Sequence, residues 1–263
     1  MKKIVLYQTD ILKLPILAQK EFHTLYHYNG KIIKIIRGDI PDQKKQILQQ
    51  LEKVKIHQVD SINFHNNHLI PKAVVLDEHG YCGYCMEKEE NQLFNSSNLE
   101  EICTYYKNVE HTMEYGHQQG IIFPDLFSQG NIIYNQQLKQ PKFIDFDGWQ
   151  IKQIPAGTRS NLKLYRNQIC QNPKFKQKNL YQVNFDRLML LRQFLIHLTN
   201  IDILEHDIPS ALQNIINFLS IQDNPLLIQE LQTIFNLEST TPIPVLKPLI
   251  EEIEHHLKTK KKH

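Results

Sequence analysis

Apolar and polar residues alternate through the first third of the chain, and beyond about residue 97 the apolar positions recur at three- and four-residue steps. The first rhythm predicts strands and the second predicts helices. From Leu25 to Arg37, apolar strand residues flank Asn29-Gly30, which is the pattern of a tight hairpin. A helix is expected over Pro41–Ile56, where Ile47, Leu48, Leu51 and Val54 share a face. Ala73 to Lys88 reads as two strands around an Asp-Glu-His-Gly turn. Ser97-Asn-Leu-Glu100 matches a capping box, and Leu99, Ile102, Tyr106, Val109 and Met113 follow on one helix face, with Gly120 placed to end it. Short strands are expected around Asn131–Tyr134 and Lys142–Asp145. An irregular stretch then runs to about residue 182, followed by an apolar helix around Arg187–Leu198 and amphipathic helices to Leu257. The expectation is an α+β chain: a small, antiparallel, β-rich lobe with one helix over residues 1–88, and a larger, mainly helical lobe over 89–263.

Composition narrows the setting. A hydrophobic content of 41% and a charged content of 22% are ordinary for a globular protein, and 263 residues suffice for a sizeable core. A formal charge of +2 gives no reason to expect nucleic acid as a partner, and the basic end, 258–263, reads as a solvated terminus. There is no apolar run long enough for a membrane span, and Gln8, Asp10 and Lys13 interrupt the opening stretch too early for a secretory signal. With four cysteines and no disulfide-rich layout, a cytoplasmic location is expected. Cys82-Gly-Tyr-Cys85 has no second pair at zinc-site spacing, and a regular strand would point residues three apart to opposite faces, so both are read as packing cysteines.

The stretch from Gly120 to Gln150 carries the candidate chemistry. It places Asp125, Asn131 and Asp145 at the ends of short apolar segments. Phosphoryl transfer requires a metal clamp on phosphate, a cation near its oxygens and a group that orients the nucleophile. Hard Mg²⁺ takes oxygen donors such as the Asn131 amide carbonyl and the Asp145 carboxylate, and Asp125 can orient an attacking hydroxyl. Any one of these residues alone is equally an ordinary turn or cap residue; the three in this order carry the reading.

His117-Gln-Gln-Gly-Ile-Ile-Phe-Pro-Asp125 followed by Asn131 and by Phe143-Ile-Asp-Phe-Asp-Gly148 resembles the catalytic core of the protein-kinase-like superfamily. The resemblance implies a bilobal protein-kinase-like fold, with Asp125 as catalytic aspartate and with Asn131 and Asp145 as metal ligands. Asp147, where many members have glycine, is closer to aminoglycoside- and choline-kinase-like enzymes and to atypical bacterial kinases. The family's histidine and arginine before the catalytic aspartate are Phe123 and Pro124 here. Asp125 to Asn131 takes six steps where the family takes about five, which places a bulge at Gly130.

The same resemblance assigns Lys34 to the ATP lysine, Glu52 to its helix partner, Met86 to the gatekeeper position, and the backbone of Glu87 and Glu89 to adenine. Lys34 alone also reads as a solvated strand lysine. Gln19 to His23, where the family has its glycine-rich cover, contains no glycine. Asp186 resembles the aspartate that braces the catalytic loop, and by itself also reads as a helix N-cap. The implied activity is ATP- and Mg²⁺-dependent phosphotransfer of atypical bacterial protein kinase type to a protein Ser/Thr hydroxyl. A small-molecule alcohol as acceptor and a pseudokinase binding module are the alternatives.

Overall fold

A computed structural model describes residues 2–19, 23–36, 71–89, 92–128, 130–145, 148–153, 155–156 and 165–260. The helix expected over 41–56, with Glu52, lies outside the described residues, as do Asp147 and the segment 20–22. The described residues form a mixed α/β protein with a six-stranded sheet and seven helices. The chain divides into two compact units. One comprises Met1–Asn91 with Lys142–Asp147; the other comprises Gln92–Pro141 and Gly148–His263.

In the first unit, β1 (Lys2–Val5), α1 (Gln8–Ile11), β2 (Ile16–Gln19), β3 (His23–Tyr28), β4 (Lys31–Ile36), β5 (Ala73–Asp77) and β6 (Gly80–Glu87) build one sheet in the order β1-β5-β6-β4-β3-β2. The hairpin expected at Asn29-Gly30 forms between β3 and β4. Both turn residues have positive φ, 49° and 74°, which matches the right-handed twist of the flanking strands. The sheet is not wholly antiparallel, because β1 runs parallel to β5 at one edge. An apolar cluster of Ile11, Tyr26, Ile33, Ala73, Val75, Cys82 and Cys85 packs on it. The two cysteines join the same cluster despite their three-residue spacing. The β5–β6 register slips at Cys82, Val75 pairing with Gly83 and Leu76 with Tyr81, and the bulge resets the alternation of faces.

The second unit is mainly helical. It contains α2 (Leu99–Gln118), β7 (Ile121–Ile122), β8 (Ile132–Asn135), β10 (Gln150–Ile151), α3 (Arg166–Gln171), β11 (Lys176–Gln177), β12 (Leu180–Tyr181), α4 (Val183–Thr199), α5 (Ile208–Leu219), α6 (Pro225–Phe235) and α7 (Lys247–Lys260). Strand β9 (Gln140–Phe143) straddles the division of the chain. Helix α2 starts one residue later than the Ser97 capping box implies. Asn98 is the N-cap, and its Oδ1 accepts from the backbone N–H of Glu100 at 2.9 Å and of Glu101 at 3.3 Å. The helix ends before Gly120, whose φ of 75° suits only a residue without a side-chain penalty. Helix α4 begins at Val183, earlier than its apolar run suggested. Phe185, Leu188, Leu190, Leu191, Phe194 and Leu195 are all buried, so this helix is apolar on most of its circumference and forms the centre of the unit. No helix among the described residues is long and apolar enough to cross a membrane.

Candidate functional site

Lys34 occupies the middle of β4, paired with Leu25 on one side and Tyr84 on the other. It is 2% exposed, which rules out the solvated strand lysine. A buried ammonium requires a compensating charge, and Asp145 supplies it. Lys34 Nζ donates to Asp145 Oδ1, and Nζ also lies 5.9 Å from the centroid of the Tyr84 ring. The close approach of strands depends on Gly83. A Cβ there would fall 2.1 Å from the Lys34 carbonyl oxygen and 3.1 Å from the Cα of Ile35.

Asp145 has φ of 66°, in the left-handed region. The conformation costs most L-residues roughly 1–2 kcal/mol, and aspartate adopts it more readily than most. Such outliers persist where surrounding interactions over-determine them, and they concentrate at functional sites. Here the ion pair to Lys34 is one of those interactions. A second pair holds the same segment, with Lys142 Nζ 2.5 Å from Glu89 Oε1. Sequence reading missed this pair because the partners are separated by 53 positions with no local signal.

Met86 is buried in β6 opposite Ile32. Glu87 pairs with Lys31 across the β4–β6 ladder, and its Oε1 accepts from Lys31 Nζ at 2.6 Å. The Glu87 and Glu89 side chains are thus engaged with lysines of their own unit.

Asp125 lies in the second unit, in the turn after β7. Its loop is closed by short-range hydrogen bonds. Asn131 Nδ2 donates to the Asp125 carbonyl at 2.7 Å, Ser128 N donates to the same carbonyl at 3.2 Å, and Asn131 N donates to the Ser128 carbonyl at 3.2 Å. Ser128 Oγ donates to Asp125 Oδ1. Gly130 has a φ of 88°, a conformation that glycine adopts without a side-chain penalty. Asn131 is buried and directs its amide N–H₂ to Asp125, leaving the amide oxygen to face away from that bond. Ser128 was not a candidate from sequence. Its signal is its place three residues after the aspartate, a spacing common to side-chain contacts in turns.

The loop is braced from α4. Asp186 Oδ2 accepts from Phe123 N at 2.9 Å and contacts His117 Nε2 at 2.8 Å. Asp186 sits inside the helix, four residues after the N-cap Gln182, so it is a long-range acceptor and not a cap. His117 Nδ1 lies 3.3 Å from Glu114 Oε1, and Arg187 Nε donates to that oxygen at 2.9 Å. Burial lowers the basicity of His117, but hydrogen bonds and charge from Asp186 and Glu114 outweigh it and raise its pKa to about 9. The imidazolium is therefore the resident form at neutral pH.

No protein-family model matches the chain, and no curated protein sequence matches it. Among the described residues no group of three or more His, Cys, Asp or Glu side chains converges as a metal site.

Proposed function

We propose that this protein is an ATP- and Mg²⁺-dependent phosphotransferase of the protein-kinase-like superfamily, of atypical bacterial protein kinase type, with a bilobal fold and a protein Ser/Thr hydroxyl as acceptor. The observation that carries the reading is the pair between buried Lys34 and half-buried Asp145, with Asp145 in a left-handed conformation. A cation fixed in a sheet and a carboxylate on a constrained backbone are what phosphate and its metal require.

Asp145 of the first unit and Asn131 of the second each carry a hard oxygen of the kind Mg²⁺ takes. The oxygens assigned to it are a carboxylate from Asp145 and an amide carbonyl from Asn131, whose N–H₂ is already committed to the Asp125 carbonyl. Two protein oxygens are few for this ion, which ordinarily completes its shell with phosphate and water. Bound Mg²⁺ would supply charge neutralisation on the phosphates. Lys34 would hold phosphate oxygens, and Asp125, oriented by Ser128, would accept the proton of the attacking hydroxyl.

Thermal denaturation with ATP, with and without Mg²⁺, tests the reading. Ligand at a hundred times its Kd adds about 2.7 kcal/mol. That corresponds to roughly 5–10 °C for a chain of this size. The rise should require Mg²⁺ and should vanish in Asp145→Asn. An absent Mg²⁺-dependent rise at millimolar ATP refutes the proposal.

A further inference from the structure

The polar turn between β8 and β9 is tied to α2 by Asn108, whose Nδ2 donates to the Lys139 carbonyl at 2.7 Å. Within the turn, Leu138 N donates to Asn135 Oδ1 at 2.9 Å. A cavity of about 440 Å³ opens in the second unit where this turn meets the start of α2. That volume falls within the range of small-molecule sites, roughly 300–1,000 Å³. Glu100, Glu101 and Thr104 of α2 line it, together with Tyr134 of β8 and with Gln136 and Lys139 of the turn. The half-buried Phe94 ring, stacked on Tyr105 with centroids 4.0 Å apart, adds an aromatic surface. None of Lys34, Asp125, Asn131 and Asp145 lines this cavity.

Tyr134 is 7% exposed, yet its hydroxyl has no hydrogen-bond partner among the described residues. Buried tyrosines usually set their O–H against a partner, and here the cavity is the place left for one. Burial and the Glu101 charge raise the Tyr134 pKa, so the hydroxyl stands as a neutral donor. The Thr104 hydroxyl is also without a partner among the described residues. The carboxylates are already met within the protein. Glu101 Oε2 accepts from Ser96 Oγ at 2.5 Å, and Glu100 Oε2 lies 3.8 Å from Lys258 Nζ. Neither therefore demands a cationic occupant, and Lys139 opposes one, while the two carboxylates oppose an anion. A neutral molecule with several hydroxyls fits this lining, because each hydroxyl both donates and accepts. We propose that the cavity binds a neutral polyhydroxylated ring, a sugar or a cyclitol, with the Tyr134 hydroxyl bonded to it. The inference does not depend on phosphotransfer.

Ligand-observed NMR on the full chain tests this with D-glucose, D-galactose and myo-inositol, and with cyclohexanol and spermidine as contrasts. At least one of the three polyols should bind in the millimolar range, and which of them binds separates a sugar from a cyclitol. Cyclohexanol, with one hydroxyl, and spermidine, a cation, should bind more weakly or not at all. Tyr134→Phe keeps the ring against Phe94 and Tyr105, so the melting temperature should hold. Polyol affinity should fall about threefold to tenfold in that variant, the worth of one hydrogen bond. Thr104→Val, of nearly the same shape, should lower it by a similar factor. Absence of binding by all three polyols, cyclohexanol binding as tightly as they do, preference for spermidine, or an affinity unmoved by both substitutions overturns the inference.

Discussion

Lys34 is held in the centre of a sheet, and its charge is met by a carboxylate 111 positions away, whereas Asp125 sits in a half-buried loop closed by partners three and six positions away. The first arrangement is electrostatic and costly: a buried ammonium persists because Asp145 and the Tyr84 ring face it. The second is a local hydrogen-bond lattice, fastened to the helical unit by Asp186 from α4. The contrast separates two requirements. Under the proposed function, the cation assigned to phosphate is desolvated by its place in the sheet. The carboxylate assigned to the acceptor keeps partial exposure and is oriented by a short loop.

The sharpest way to break that comparison is to mutate each half. Asp125→Asn should reduce turnover by about 10²–10⁴-fold while the Mg²⁺-dependent thermal shift with ATP is retained. Asp145→Asn should lose both, and should also lower the melting temperature of the ligand-free protein by leaving Lys34 short of a carboxylate. If Asp125→Asn abolishes the thermal shift as completely as Asp145→Asn does, the division of roles is wrong.

Next in size is the sheet side. Gly83→Ala drives a Cβ into the Lys34 carbonyl and should destabilise the protein by about 3 kcal/mol, measured by urea titration. An unchanged midpoint would show that the β4–β6 approach does not need glycine.

The helical side has a pH signature of similar size. Asp186 and Glu114 outweigh burial and hold the His117 pKa up at about 9 in the folded protein, above the ordinary imidazole value of about 6.5. The contribution is full below the unfolded pKa and is lost as pH rises through about 9. At about 1.4 kcal/mol per unit the difference is on the order of 3 kcal/mol. Melting temperature should therefore fall between pH 6.5 and 9, and His117→Gln should flatten that slope. A slope that survives the substitution would locate the titration elsewhere.

The smallest effect lies outside both halves. Asn98→Ala removes the cap of α2 and should cost about 1 kcal/mol in a denaturation midpoint, with no change in Mg²⁺–ATP stabilisation.

Much of the local structure was legible beforehand. Asn29-Gly30 makes its hairpin because its turn needs two positive φ values that few other residue pairs tolerate. The spacing of Ile102, Tyr106, Val109 and Met113 places them on the buried face of α2. The Asp125–Asn131 contact was not anticipated: Asn131 was assigned to a metal, and its amide N–H₂ donates to the Asp125 carbonyl. Errors arose where one residue altered the register. The bulge at Cys82 put both cysteines in one apolar cluster, and Asn98 replaced Ser97 as the cap.

By itself the sequence determined the strand and helix periodicities, the turns with positive φ, and the order of Asp125, Asn131 and Asp145, because these depend on interactions across a few residues. The tertiary structure alone decided that Lys34 is buried and meets Asp145, that β1 runs parallel to β5, that Glu89 meets Lys142, and that Asp186 reaches past its own helix turn to Phe123. Each of these joins positions more than fifty residues apart. Burial and charge compensation, which select such partners, are properties of the folded environment and leave no periodic mark on the chain.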